Sequence, residues 1–162
     1  MQSQYRRIYD YAFYNRSGQV IMPIEIITGR KISEKTSREP INNKLTGFGY
    51  YSEAIDWALN NNIPWVMIVT RLQVDIIRLI RPLSEEHFHS FPTNPILSYY
   101  LQNVPNADRK MVDPDYFETV ITYWLIGLAK QVDTNLPLLN NIREIGLLDQ
   151  INGGYIQTEP RV

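Results

Sequence analysis

The chain has 162 residues, 44% hydrophobic and 20% charged, with a net charge of −1 and no cysteine. That length fits one domain with its own core, and the apolar fraction excludes a disordered chain. Without cysteine, disulfides, zinc–thiolate sites, iron–sulfur clusters and thiol nucleophiles are excluded.

Only two histidines occur, His87 and His89, too few for a His-rich metal site. The opening MQSQYRRIYDYAF lacks the apolar run of a secretory signal. The longest apolar stretch, Val120 to Ala129, is about half of a membrane span. The expectation is a soluble, cytoplasmic protein with no membrane partner. Charge is unevenly spread: residues 1–81 carry eleven Lys/Arg against seven Asp/Glu, and residues 82–162 carry five against ten. The densest cationic segment holds Arg30, Lys31, Lys35, Arg38 and Lys44, so a polyanion such as DNA would meet this part of the chain. A solvated loop explains the same charges without a ligand.

In chain order, Arg7–Tyr14 and Gln19–Thr28 are rich in aromatic and β-branched residues and flank Asn15-Arg16-Ser17-Gly18, which predicts an antiparallel hairpin. Pro23 cannot donate to a ladder and points to a bulge or an unpaired edge. Ile24 and Ile26 share one face of the second strand, and Pro23, Glu25 and Ile27 the other. A carboxylate in so apolar a strand needs a cation, a metal or strong donors. Residues 32–46 read as loop. Tyr50–Asn60 is spaced as a helix that ends in an Asn run, and Trp65–Thr70 and Val74–Ile80 read as paired strands. Ser84–Pro95 reads as loop and Ile96–Gln102 as a short helix. Asp113 with Pro114 marks the start of the longest helix, through Tyr116–Gln131. A last helix over Leu138–Gln150 and a tail over 151–162 complete the reading.

That order, with Asp10 opening one strand and Glu25 on the next, resembles the PD-(D/E)XK nucleases. The subgroup it is most similar to is the N-terminal nuclease domain of type I restriction-enzyme R subunits and type IIG enzymes. Asp10 and Glu25 match the paired acids, and Glu53-Ala54-Ile55-Asp56-Trp57-Ala58 the helix motif. Ile63–Thr70 with Val74–Leu79 match the closing strands. The resemblance covers about residues 8–80. It implies a restriction-endonuclease-like mixed sheet of about four strands flanked by helices, followed by a helical half over 82–150. It implies Mg²⁺ on Asp10 and Glu25 and a lysine activating water, with DNA as partner. Five positions depart from the pattern. Ile27 stands where the lysine belongs, Glu53 replaces a Gln, Trp57 replaces a Tyr, and Arg71-Leu72 replaces an Asn-Gly turn. The helix that usually precedes the first strand has no room before Asp10. Lys31 and Lys44 are the candidates for a migrated lysine, so the catalytic set read here is Asp10, Glu25 and Lys31.

Plain structural readings stand beside these. Asp10 and Glu25 are explained equally by pairing with Arg7, Arg30 or Arg78. His87 and His89 fit a solvated loop, and Gly47-Phe48-Gly49 fits a hinge better than a phosphate loop. Tyr50, Tyr51, Trp57 and Trp65 suit a core as well as a base-stacking surface. Three functions remain open from sequence. They are an Mg²⁺-dependent DNA endonuclease, a degenerate DNA-binding or assembly module, and an adaptor docking a protein partner through its C-terminal helices.

Overall fold

The computed structural model describes residues 8–28 and 53–158. Strands β1 (Tyr11–Tyr14) and β2 (Val20–Ile26) form the expected hairpin. Its turn is closed by Asn15, whose Oδ1 accepts the Gln19 N–H at 2.9 Å, and by Gly18 at φ +80. The irregularity lies one residue pair away from Pro23. Phe13 pairs with Met22 but Tyr14 with Val20, so Ile21 is the extra residue. Pro23 sits opposite Ala12 and precedes the first pair between β2 and its other neighbour, so its missing N–H falls where that ladder has not begun.

Helix α1 (Glu53–Asn60) ends through Asn62 in the left-handed region, as the Asn run predicts. It leads into β3 (Trp65–Val69), which lies parallel to β2, and β4 (Gln73–Arg78) returns antiparallel to β3. The α/β character and the mixed sheet are as expected, but the strand count is larger. β5 (Phe88–Pro92) and β6 (Tyr155–Thr158) extend the sheet to six strands in the order β5-β4-β3-β2-β1-β6. The segment expected as loop before Pro95 therefore contributes an edge strand after a 3-10 turn at Glu85–His87, and the expected tail contributes the other edge. The second half is accordingly not wholly helical.

Its helices are α2 (Asn94–Leu101), α3 (Ala107–Lys110), α4 (Pro114–Lys130), α5 (Leu139–Glu144) and α6 (Leu147–Ile151). Asp113 caps α4 as expected, its Oδ1 accepting the Asp115 N–H at 2.9 Å. The single helix expected over Leu138–Gln150 is two, because Gly146 turns the chain at φ +88. No described helix is long and apolar enough to cross a membrane.

The sheet separates two apolar layers. On one face Phe13, Met22, Ile24, Ile26, Met67 and Ile76 pack with the stripe of α4, including Phe117, Ile121, Trp124 and Leu128. On the other, Ala12, Ile27, Val66, Ile68 and Ile77 pack with Ala54 and Ile55 of α1. These lists reproduce the alternation read for β2. They also show the apolar stripe of α4 spent on the core, with Tyr123 its one exposed large apolar side chain among the described residues.

Candidate functional site at the carboxyl end of the parallel strands

Because β2 and β3 run parallel, their carboxyl ends lie together. The antiparallel neighbours begin or end at that same edge of the sheet. In open α/β sheets this edge is where ligands bind. The buried polar residues among those described are Asp10, Glu25, Thr28, Asp75 and Thr93, and all five belong to this end. Asp10 enters β1, Glu25 and Thr28 leave β2, Asp75 enters β4 and Thr93 follows β5. In sequence, Thr28 is followed by the most cationic stretch of the chain.

Asp10 and Glu25 thus come to neighbouring strands at one end, 8% and 3% exposed. They are held differently. The N–H of Asp10 donates to the Ile24 carbonyl at 2.9 Å, and its Oδ2 accepts the Ile26 N–H at 2.7 Å. The side chain therefore lies at the end of the β1–β2 ladder. Glu25 projects to the α1 face with Pro23 and Ile27, and its β3 partner position is Ile68.

Asp75 is the carboxylate that sequence reasoning did not single out. It lies on the same face, opposite Ile68 on one side and Ser90 on the other, so that Glu25, Ile68, Asp75 and Ser90 form one row across four strands. Its two oxygens accept from Ser90 Oγ and from Gln73 Nε2, the latter at 2.8 Å. Burial pushes its pKa up, partly offset by the Ser90 and Gln73 hydrogen bonds. The available signal was alternation within VDIIRL, which puts Asp75 on the same side as Ile77.

Ile27 occupies the place of the expected lysine. It is 1% exposed and packed with Ala54 and Ile55 beneath α1. Lys31, the lysine offered in its place, lies outside the described residues, as do Arg30, Lys35, Arg38 and Lys44. A metal at Asp10 and Glu25 would find hard oxygen ligands, with one Asp10 oxygen already engaged by the main chain. No group of three described His, Asp or Glu residues gathers to complete such a centre. Among the described residues, Asp10 and Glu25 by themselves do not make up a complete hydrolytic metal site.

Other candidate residues resolve into structural roles. Trp65 is fully buried, its Nε1 donating to Gln150 Oε1 at 3.0 Å, and Trp57 packs on Tyr9 with ring centroids 4.9 Å apart. Arg78 lies over the Trp65 ring, and Arg71 over that of Phe117. His87 sits in the 3-10 turn near Glu86, whereas His89 lies on β5, its pKa lowered by burial and by His87. Tyr50 and Tyr51 lie outside the described residues. A groove of about 340 Å³ on the opposite face, lined by Tyr11, Asp115, Glu118, Thr119, Thr122 and Tyr123, is acidic and offers no cation to a phosphate.

Comparisons with protein-family models, with curated proteins and with solved structures gave no match.

Proposed function

We propose that this protein is a restriction-endonuclease-like, DNA-binding domain whose hydrolytic centre is degenerate. The observation that carries the reading is one arrangement. A hairpin places Asp10 and Glu25 at the carboxyl end of β2, and a helix then crosses to the parallel strand β3. The cationic segment 29–44 follows directly from that end in sequence and supplies the charges for phosphate contact. Degeneracy follows from Ile27, whose apolar side chain is locked into the core and can neither carry charge nor donate to a water. The paired acids then serve as the remnant of a metal site, and binding rather than hydrolysis is the surviving activity.

The test is binding of duplex DNA by the full chain over a range of salt concentrations. Phosphate contacts release counterions, so affinity should fall steeply as salt rises, with a log–log slope of about −0.9 per phosphate neutralised. Replacing Arg30, Lys31 and Lys35 together by Ala should flatten that slope by up to about three contacts. A slope unchanged by the triple substitution would remove the DNA-binding role from this segment. No affinity at low salt would remove the reading itself.

A further inference from the structure

Asp75 differs from Asp10 and Glu25 in how it is satisfied. It is 1% exposed, and its two hydrogen-bond donors, Ser90 Oγ and Gln73 Nε2, are both neutral. Among the described residues, the groups around it on this face are apolar or acidic. β3 presents Val66 and Ile68, β5 flanks Ser90 with Phe88 and Pro92, and β2 carries Glu25 one strand beyond. Helix α1 packs against β2 and β3 with Ala54, Ile55 and Ala58, and its first turn adds Glu53 and Asp56. The basic side chains nearest in sequence are turned elsewhere. Arg71 and Arg78 lie over Phe117 and Trp65, and Arg81 donates to the Leu59 carbonyl. His89 stands on β5 opposite Ile76, on the other face, and His87 is beside Glu86 in the turn before β5.

The strand that Asp75 touches is an edge. β5 pairs with β4 alone, and no residue of it is fully buried. Beyond its ladder bonds it is held by Phe91 and Phe88, packed against the two core layers, by Ser90 to Asp75 and, after its last residue, by Thr93. The Thr93 Oγ1 donates to the Thr70 carbonyl at 2.8 Å. An ionised carboxylate in so dry a place costs free energy that neutral donors recover only in part. Separating β5 from β4 would let water reach it.

We propose that the buried carboxyl of Asp75 is a proton-operated latch on the edge strand β5: protonated Asp75 leaves β5 fastened to β4, and release of its proton to solvent loosens the strand. This inference does not depend on DNA binding or on Asp10 and Glu25. The upward pKa shift caused by burial agrees in sign. A raised folded-state pKa means that the closed strand binds the proton more tightly than the open one. Closure is then strongest below the ordinary Asp value of about 3.9 and weakens as pH climbs from there to the raised value. Above that value it is constant. Within the window the opening constant rises by up to about tenfold per pH unit.

The test is amide hydrogen exchange of the full chain between about pH 4 and 8, corrected for intrinsic rates, comparing residues 88–91 with residues 66–68 of β3. Protection in β5 should fall with rising pH and then level off, while protection in β3 holds. Asp75→Asn should abolish the slope. Ser90→Ala removes a donor to the carboxylate, so the window should reach to higher pH, which keeps the idea testable if the Asn variant fails to fold. Protection in β5 that ignores pH, a slope that survives Asp75→Asn, an unmoved window in Ser90→Ala, or β3 opening together with β5 would each overturn the latch.

Discussion

The Oδ2 atom of Asp10 accepts the main-chain N–H of Ile26 at 2.7 Å and fills the ladder place that another β1 carbonyl would take. One of the two candidate site acids therefore also ends a β-ladder. Asp10→Ala removes the acceptor of a buried N–H and should cost about 1–3 kcal/mol, read as a lower urea midpoint at unchanged m-value. Asp10→Asn keeps an acceptor in place and should cost less. Any loss of DNA binding in the Ala variant has to be judged against that difference.

Ile27→Lys would restore the residue type that the nuclease pattern asks for, but at a position 1% exposed beneath α1. A buried, uncompensated charge should destabilise by about 3 kcal/mol or more. The expected result is a marked drop in thermal midpoint. A variant as stable as the parent would show that the lysine has a route out of the core.

For the unmodified chain, supercoiled plasmid incubated with Mg²⁺ or Mn²⁺ should remain essentially intact, because nothing at position 27 activates a water. The gel assay is decisive in the other direction too. Robust cleavage, lost in Lys31→Ala or Lys44→Ala, would identify a migrated lysine and an active enzyme.

At the β6 edge, the Tyr14 and Tyr155 rings stack 5.2 Å apart, and Gly154 lies against the main chain of Tyr14. A Cβ on Gly154 would come within 2.0 Å of the Tyr14 carbonyl oxygen. Gly154→Ala should therefore cost about 2 kcal/mol or more and selectively deprotect β6. At Gly153 the obstruction is the flexible Arg16 side chain, and the burden is its φ of +73. Gly153→Ala should cost about 1 kcal/mol, clearly less than its neighbour.

Tyr99 donates its hydroxyl to Asp133, whose carboxyl is held below the usual range by that bond and by the Asn135 N–H. The same bond is the main cause pushing the Tyr99 phenol up. A lowered Asp pKa gives stability that is present above the unfolded value and lost as pH falls through the folded one. A raised Tyr pKa gives stability lost as pH rises past about 10. Tyr99→Phe should return the Asp133 titration, followed by carboxyl NMR, toward an ordinary aspartate. An unmoved titration would assign the shift to the backbone.

Strong local patterns made half of this fold readable. The hairpin at Asn15–Gly18, the Asn-capped α1, the apolar β3 and the Asp113-Pro114 start of α4 each carry a signal within a few residues. β5 and β6 do not. They are short edge strands, one between prolines and one behind Gly153-Gly154, and their pairing with β4 and β1 is decided by contacts distant in sequence. A single Gly at 146 was likewise enough to divide a helix whose apolar spacing reads as continuous. At the site, Glu25 was legible because a carboxylate in an apolar strand is conspicuous, and Asp10 through the resemblance to the nuclease pattern. Asp75 was equally conspicuous by that standard, but its importance rests on Ser90, which sequence spacing had assigned to a loop.

The pairing of β6 with β1 has a consequence for the nascent chain. Tyr14 meets Tyr155, 141 positions later, so one side of β1 waits for its partner until that later residue has emerged. At a synthesis rate of about 5–20 residues per second, that wait is roughly 7–28 s. Throughout it, β1 presents unsatisfied main-chain groups to other chains nearby. Overexpression yield and inclusion-body content should therefore respond to substitutions at residues 153–158 more sharply than the stability of the finished protein does.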